Sequence, residues 1–101
     1  MNESKASPAA KSIRFELGTV VGTPAAVRCL RQCGVDPDTL LARHQSGDWG
    51  ELTLEDRNEN ERSVISGLRI LSSYPMANGE SIWIITEADR SATTFLLPEE
   101  Y

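Results

Sequence analysis

The hydrophobic positions of this chain change their spacing twice. Near the start, Ile13, Phe15 and Leu17 alternate with charged residues, and this period of two predicts a half-buried strand. From Thr23 onwards the spacing becomes helical, and from Leu68 it alternates again. The order of elements is therefore predicted to be β-α-α-α-β-β-β.

Three predicted helices are marked by residues that start and stop helices. Each begins after a capping Thr or Asp and ends at a glycine, which gives the spans 23–34, 36–47 and 53–67. Pro24 and Pro37 follow the caps of the first two, at the position where a helix tolerates proline. This punctuation predicts three separate helices with short connections.

The third helix has a mixed face. Leu54, Ile65 and Leu68 fall on one side with Val64 beside them, and we expect that side to face the core. The same side carries three polar residues, Arg57, Asn58 and Glu61. These residues predict either that the helix is only half docked or that its middle lines a polar groove. An Arg57–Glu61 pair one helical turn apart is the simpler explanation of the polar positions.

The last third of the chain predicts hairpins. Asn78-Gly79 is a strong turn signal between two alternating runs, and the run around Trp83 is apolar on both faces, as in a central strand. Pro98 ends the last strand. We predict one α+β domain over residues 12–101, an antiparallel meander with the helices packed on one face and the first strand at an edge. Residues 1–11 are small and polar, and are predicted to form a disordered tail.

The composition is that of a single globular domain without a membrane span. The 101 residues suffice for one domain, and 40% hydrophobic and 25% charged residues are ordinary for a globular protein. No apolar run approaches the ~20 residues of a membrane helix, and no signal peptide is visible, so we expect a cytoplasmic protein without a membrane partner. Cys29 and Cys33 lie one helical turn apart, a poor spacing for a disulfide, and one histidine leaves a zinc site short of ligands. We expect no metal and no cofactor.

His44, the only histidine, is the main candidate for catalysis. It lies in the last turn of the second helix, on the face of Leu40 and Leu41, where the helix dipole favours an imidazolium. Asp48 and Glu51 follow closely and could orient it as a general base. A histidine on an apolar helix face is more often structural.

Two other stretches predict contacts with a partner protein. Asp48 and Trp49 stand between two glycines, where Trp49 is either a plug between helices or a half-exposed aromatic anchor. Glu87, Asp89 and Arg90 crowd a predicted hairpin tip, which is either ordinary turn chemistry or a recognition tip with Arg90 at its centre.

Three segments together resemble a known family. "LGTVVGTPAAVRCLRQCGVDP", "LLARHQSGDWGEL" and "WIITEADRSATTFLLPEEY" are similar to short proteins of proteobacterial plasmids and mobile elements, called plasmid-related or labelled type I restriction endonuclease subunit M. The resemblance covers about residues 17–101. It implies a mobile-DNA context, in defence or counter-defence, and no catalytic residues. The predicted elements contain no βαβ series, which a nucleotide-binding methyltransferase domain needs.

Three functions stay open at this point. The first is a non-enzymatic accessory protein of a mobile element that binds another protein, such as a host restriction or defence complex, aided by the acidic run from Glu51 to Glu61. The second is a small hydrolase with His44 as base, in a pocket that reaches the Asn58 and Glu61 side of the third helix.

The third is a nucleic-acid regulator. It requires Arg28, Arg31 and Arg69 to converge on one face, and the net charge of −5 argues against it. An exposed edge strand could also pair two copies of the chain into a homodimer.

Overall fold

A computed structural model describes residues 13–101 as one four-stranded sheet with three α-helices. The elements, in chain order, are β1 Thr19–Gly22, α1 Pro24–Cys33, α2 Pro37–Ser46, α3 Leu54–Ser66, β2 Ile70–Pro75, β3 Ser81–Thr86, β4 Ala92–Leu96 and a short 3₁₀ turn Pro98–Glu100. The predicted α+β class is confirmed. The predicted tail over residues 1–11 lies outside the described residues.

The helix boundaries are those that the capping residues predict. The side chains of Thr23, Asp36 and Thr53 each accept a hydrogen bond from a backbone N–H in the first turn of α1, α2 and α3. Gly34, Gly47 and Gly67 end these helices in the left-handed conformation, which costs glycine little. Local chemistry therefore sets all six ends.

The sheet is mixed, which corrects the predicted antiparallel meander. Its strand order is β1-β4-β3-β2, with both hairpin pairs antiparallel and β1 parallel to β4. A tight turn imposes antiparallel pairing on the strands that it joins. No such turn joins β1 to β4, because the helices and two strands lie between them in the chain. β1 does take the predicted edge position.

The first strand lies later in the chain than predicted. Ile13, Phe15 and Leu17 form an irregular segment, and the strand itself is the TVVG stretch Thr19–Gly22. Gly18 makes the bend between them at φ 65°, where an added Cβ would lie 2.3 Å from the carbonyl oxygen of Ser91. The alternation thus identified Phe15 as a core residue, 8% exposed, but placed it in the wrong structure.

The inward face of α3 is also different from the prediction. Leu54, Ile65 and Leu68 are 73%, 85% and 50% exposed, whereas Asn60 and Ser63 are buried. The reason is the neighbour of α3. The helix lies beside the edge of β2, whose backbone groups need hydrogen-bond partners, so a polar side chain is the better one to bury.

The main core lies between the sheet and the first two helices. Tyr74, Ile82, Ile84 and Phe95 line one face of the sheet and pack against α1 and α2, with Leu30 and Leu40 among the contacts. No helix in residues 13–101 combines the length and the apolar character that crossing a membrane requires.

Candidate functional site

His44 is held inside the core by hydroxyl groups. It has no exposed surface, its Nδ1 lies 2.6 Å from Oγ of Ser72 on β2, and its Nε2 lies 2.9 Å from Oγ1 of Thr86 on β3. Thr86 in turn lies 2.8 Å from Thr93 on β4, whose hydroxyl donates to the carbonyl oxygen of Leu17 at 2.7 Å. One imidazole thus joins three strands and the segment before β1.

The end of this chain of hydrogen bonds determines its direction. The carbonyl of Leu17 only accepts, so Thr93 donates to it and must accept from Thr86. Thr86 then accepts the Nε2–H of His44, and Nδ1 accepts the hydroxyl proton of Ser72. The network is satisfied by a neutral imidazole.

Burial keeps this imidazole neutral. Desolvation, with a smaller contribution from the positive charge of Arg90, lowers the pKa of His44 to about 3. The position at the end of α2 does not make the ring an imidazolium, because the cost of burying the charge exceeds the attraction of the helix dipole.

The proposed catalytic arrangement is not assembled. Both ring nitrogens of His44 are bonded to hydroxyls, so neither Asp48 nor Glu51 orients the ring. The carboxylate of Asp48 binds Arg43 at 2.7 Å, and the side chain of Glu51 is exposed. A general base has to reach its substrate, and an imidazole with no exposed surface does not.

Phe15 brings three candidate residues together inside the protein. Its ring centroid lies 5.1 Å from that of His44 and 6.2 Å from that of Trp49, and the guanidinium carbon of Arg90 lies 5.6 Å from it. Trp49 is 4% exposed, so the half-exposed anchor is corrected to a buried plug. Phe15, His44 and Trp49 form a buried aromatic cluster, and the half-buried guanidinium of Arg90 lies beside it.

The polar residues of α3 do not form the predicted groove or pair. Glu61 binds Arg14 at 2.8 Å and accepts a hydrogen bond from the indole of Trp49 at 3.0 Å; these bonds, the one from Arg14 foremost, lower the pKa of Glu61. Arg57 donates to the backbone carbonyls of residues 50 and 52, and Asn58 is exposed. The pocket expected between His44 and the Glu61 side is filled by Trp49.

The hairpin tip is built from internal contacts. Arg90 has a left-handed backbone at φ 62°, and its guanidinium donates to four carbonyl oxygens, including those of Ser63 at 2.8 Å and Leu68 at 2.6 Å. Glu87 binds Arg69 at 3.2 Å, and the exposed Asp89 accepts the N–H of Ser91 at 3.0 Å. Arg90 therefore fastens the tip to the end of α3.

The arginines of the nucleic-acid hypothesis are divided between two parts of the fold. Arg28 and Arg31 lie on α1, which packs on β3 and β4. Arg69 directly precedes β2, at the far edge of the sheet, and is bonded to Glu87 and Tyr101.

The outer edge of β2 is covered by other parts of the chain. Asn60 bonds both backbone groups of Leu71, donating to its carbonyl at 2.6 Å and accepting its N–H at 3.1 Å. The connector before α3 covers the next outward residue, Ser73, through the carbonyl of Trp49 at 3.0 Å and the N–H of Glu51 at 2.8 Å. The close approach requires Gly50, where an added Cβ would lie 2.0 Å from the oxygen of Ser73.

The outer edge of β1 is open among the described residues. Thr19 and Thr23 direct their N–H groups to β4, at 3.0 Å each, so the alternating residues Val20 and Gly22 direct theirs away from the sheet. β1 has β4 as its one neighbour in the sheet of residues 13–101. All four residues of β1 are exposed.

An apolar groove borders this open edge. It has a volume of about 360 Å³, and its lining includes Val20 and Gly22 from β1, Val27, Leu30 and Arg31 from α1, and Phe95 from β4. Val27 and Phe95 pack closely against Gly22, since they would lie 3.2 Å and 3.5 Å from an added Cβ. Arg31 is the charged member of the lining.

Sequence reasoning placed the first strand at an edge of the sheet, but it missed the groove beside that edge and the hydroxyl network. The "TVVG" stretch has two successive valines, a pattern that also fits a strand buried on both faces. Only the neighbouring elements show that these valines are exposed beside a groove. Ser72, Thr86 and Thr93 are ordinary strand residues, and only the fold brings them to His44.

The chain matches no protein-family model, no curated protein and no solved structure. Within residues 13–101, no group of three or more His, Cys, Asp and Glu side chains has a geometry suited to a metal ion.

Proposed function

We propose that this protein acts by binding another protein at the open edge of β1 and the groove beside it. The observation that carries the proposal is the contrast between the two sheet edges. An uncovered edge strand is a hazard because it pairs with other chains, and proteins normally protect such edges. Within residues 13–101, Asn60 and the Gly50 connector cover the outer edge of β2, whereas no strand or hydrogen bond covers the outer edge of β1.

The composition of the exposed area supports the same proposal. Val20, Val21 and Val27 are 42%, 48% and 38% exposed and lie together at the groove. Apolar surface gathered around a depression is typical of binding sites, whereas single exposed apolar residues are ordinary. Ile65 is more exposed, at 85%, but it lies away from this groove on α3.

The residues first considered as partner contacts have lesser roles in this proposal. Trp49 is buried, and the side chains of Asp48, Glu87 and Arg90 are bonded to other parts of the fold. Asp89 is exposed at the hairpin tip, where its carboxylate accepts the N–H of Ser91 in the same turn. The resemblance to proteins of mobile elements makes a host restriction or defence complex a candidate partner. That part of the proposal rests on the resemblance alone.

Photo-crosslinking in cells that carry the gene tests the proposal. A photoreactive amino acid at position 27, in the groove, is expected to give an adduct with one distinct protein, and the same amino acid at Ile65 is not. The adduct at position 27 should disappear in a Val20→Pro background, because proline removes the outward N–H of that residue. Equal adducts at both positions, or adducts only between two copies of this chain, would contradict the proposal.

A further inference from the structure

We infer that the partner presents an extended segment that joins the sheet as a fifth strand beside β1, with an apolar side chain in the groove and an acidic side chain bonded to Arg31. This inference rests on the proposed function and names the chemistry of the partner. It follows from the backbone groups of Val20 and Gly22, the shape of the groove and the charge on α1.

The backbone of β1 is prepared for strand addition. Val20 and Gly22 turn both N–H and C=O outward, since the intervening residues bond to β4. A peptide in the extended conformation satisfies these groups through main-chain hydrogen bonds, which give affinity without specifying sequence. Specificity then comes from the side chains that face the groove.

The groove accepts an apolar side chain on the helix side of the sheet. Gly22 pairs with Phe95 in the register of the sheet, and Phe95 packs in the core between the sheet and α1. The groove has a volume of about 360 Å³, and Val20, Val27 and Leu30 supply apolar lining that a side chain of the added strand would contact. Alternate residues of an added strand point to this face, so the next one on the same side lies about 7 Å further along.

Arg31 determines the second feature of the segment. Helix α1 carries Arg28 and Arg31 and no acidic residue, although the whole chain has a net charge of −5. Within residues 13–101 the guanidinium of Arg31 makes no hydrogen bond or ion pair, whereas Arg14, Arg43, Arg62 and Arg69 each pair with a carboxylate. Because Arg31 lines the same groove, we expect a carboxylate on the same face of the added strand, two positions from the apolar residue, to pair with this cation.

The same charge argues against a second copy as occupant. Two β1 strands paired about a twofold axis would bring the groove of each copy, with its Arg31, to the same interface, and like charges there oppose association. A foreign acidic segment meets no such repulsion, because its carboxylate would neutralise Arg31.

The test is selection of random ten-residue peptides displayed on phage against the 101-residue chain. Enriched peptides are expected to combine an apolar residue with Asp or Glu two positions away. Arg31→Glu should weaken their binding at least about tenfold, while the matched control Arg28→Glu, on the same helix but outside the groove, should leave it within about twofold. Amide exchange then locates the peptide: the N–H groups of Val20 and Gly22 should exchange at least about tenfold more slowly when it binds, and that of Val21 should not change.

The outcomes separate the inference from the proposed function. Peptides that protect Val20 and Gly22 but show no acidic preference, or bind Arg31→Glu equally well, would overturn the inference and leave the edge as the binding site. Peptides that leave both amides unprotected and bind Val20→Pro normally would overturn the binding site itself. A dimer in sedimentation that Val20→Pro dissociates, with no peptide enriched, would assign the edge to a second copy and overturn both. Faster exchange at Val20 and Gly22 after deletion of residues 1–12 would assign it to the chain's own N-terminal segment.

Discussion

The two edges of the sheet are treated in opposite ways. At β2, the Asn60 amide bonds the outward N–H and C=O of Leu71, as a neighbouring strand would. The backbone on either side of Gly50 bonds the outward groups of Ser73. At β1, the outward groups of Val20 and Gly22 have no partner strand within residues 13–101 and border an apolar groove. The comparison shows that a small fold can protect one edge with a single polar side chain and one glycine. Within residues 13–101, the fold therefore has one covered sheet edge and one uncovered sheet edge.

Residues 44–52, the "HQSGDWGEL" stretch, lie on the side of the fold where the edge of β2 is covered. His44 connects the strands through hydroxyls, Trp49 fills the space beside Phe15, and Gly50 lets the backbone approach β2. His44 and Trp49, which the sequence marks as candidates for catalysis and partner binding, thus stabilise the part of the core beside β2.

The largest loss of stability is expected when a side chain is added at Gly50. Gly50→Ala should destabilise the protein by about 3–5 kcal/mol, because the backbone has φ 76° and the new Cβ would collide with the Ser73 oxygen. Urea unfolding measures the change. Gly79→Ala is the control: φ is 88° but nothing lies within 4 Å, so about 1 kcal/mol is expected. Equal losses in the two variants would show that covering the β2 edge adds little.

Removing the Asn60 side chain should have the next largest effect. Asn60→Ala leaves the N–H and C=O of Leu71 without their partner, at a cost of about 2–3 kcal/mol. The matched control is Asn58→Ala on the exposed side of the same helix, for which a change within about 0.5 kcal/mol is expected. If the two asparagines prove equivalent in denaturant unfolding, Asn60 does not protect the edge.

The pH dependence of the free energy of unfolding tests the hydroxyl network around His44. The folded pKa of His44, about 3, is below its ordinary value of 6.5, so protons bind the unfolded chain more tightly. The stabilisation is complete above pH 6.5 and is lost as pH falls towards 3. Between pH 7 and pH 5 the loss should be about 2 kcal/mol in urea unfolding.

His44→Gln provides the control for this pH effect. Its unfolding free energy should be nearly constant over the same interval, because the imidazole is gone. Glu61 contributes a loss of the same sign only at lower pH, since its folded pKa lies below 4.5. A wild-type protein whose stability does not change between pH 7 and pH 5 would show that His44 is reached by water.

The smallest effect on stability is expected at the open edge. Val20→Pro should change the free energy of unfolding by no more than about 1 kcal/mol, because proline is tolerated where a strand N–H faces outward. Val21→Pro, one residue later, loses a hydrogen bond to β4 and should cost about 3 kcal/mol. Similar losses at both positions would mean that the β1 edge is already occupied.

Much of the fold could be predicted from neighbouring residues. The caps Thr23, Asp36 and Thr53, and the Asn78-Gly79 turn, act within four residues of the chain, so their effect is visible in the sequence. The candidate site could not be predicted in this way. Trp49 and Arg90 have residue types common at interfaces, but their partners, Glu61 and Ser63, come from other elements.

The sequence by itself determined where the helices begin and end, which strands form hairpins, and that the domain is α+β. These features depend on backbone hydrogen bonds and turns between near neighbours. Only the tertiary structure decided that β1 runs parallel to β4, that α3 buries Asn60 rather than Ile65, and that His44 is neutral. Each of these depends on what lies across the fold, because burial and the partners of a polar group are set by packing between distant segments.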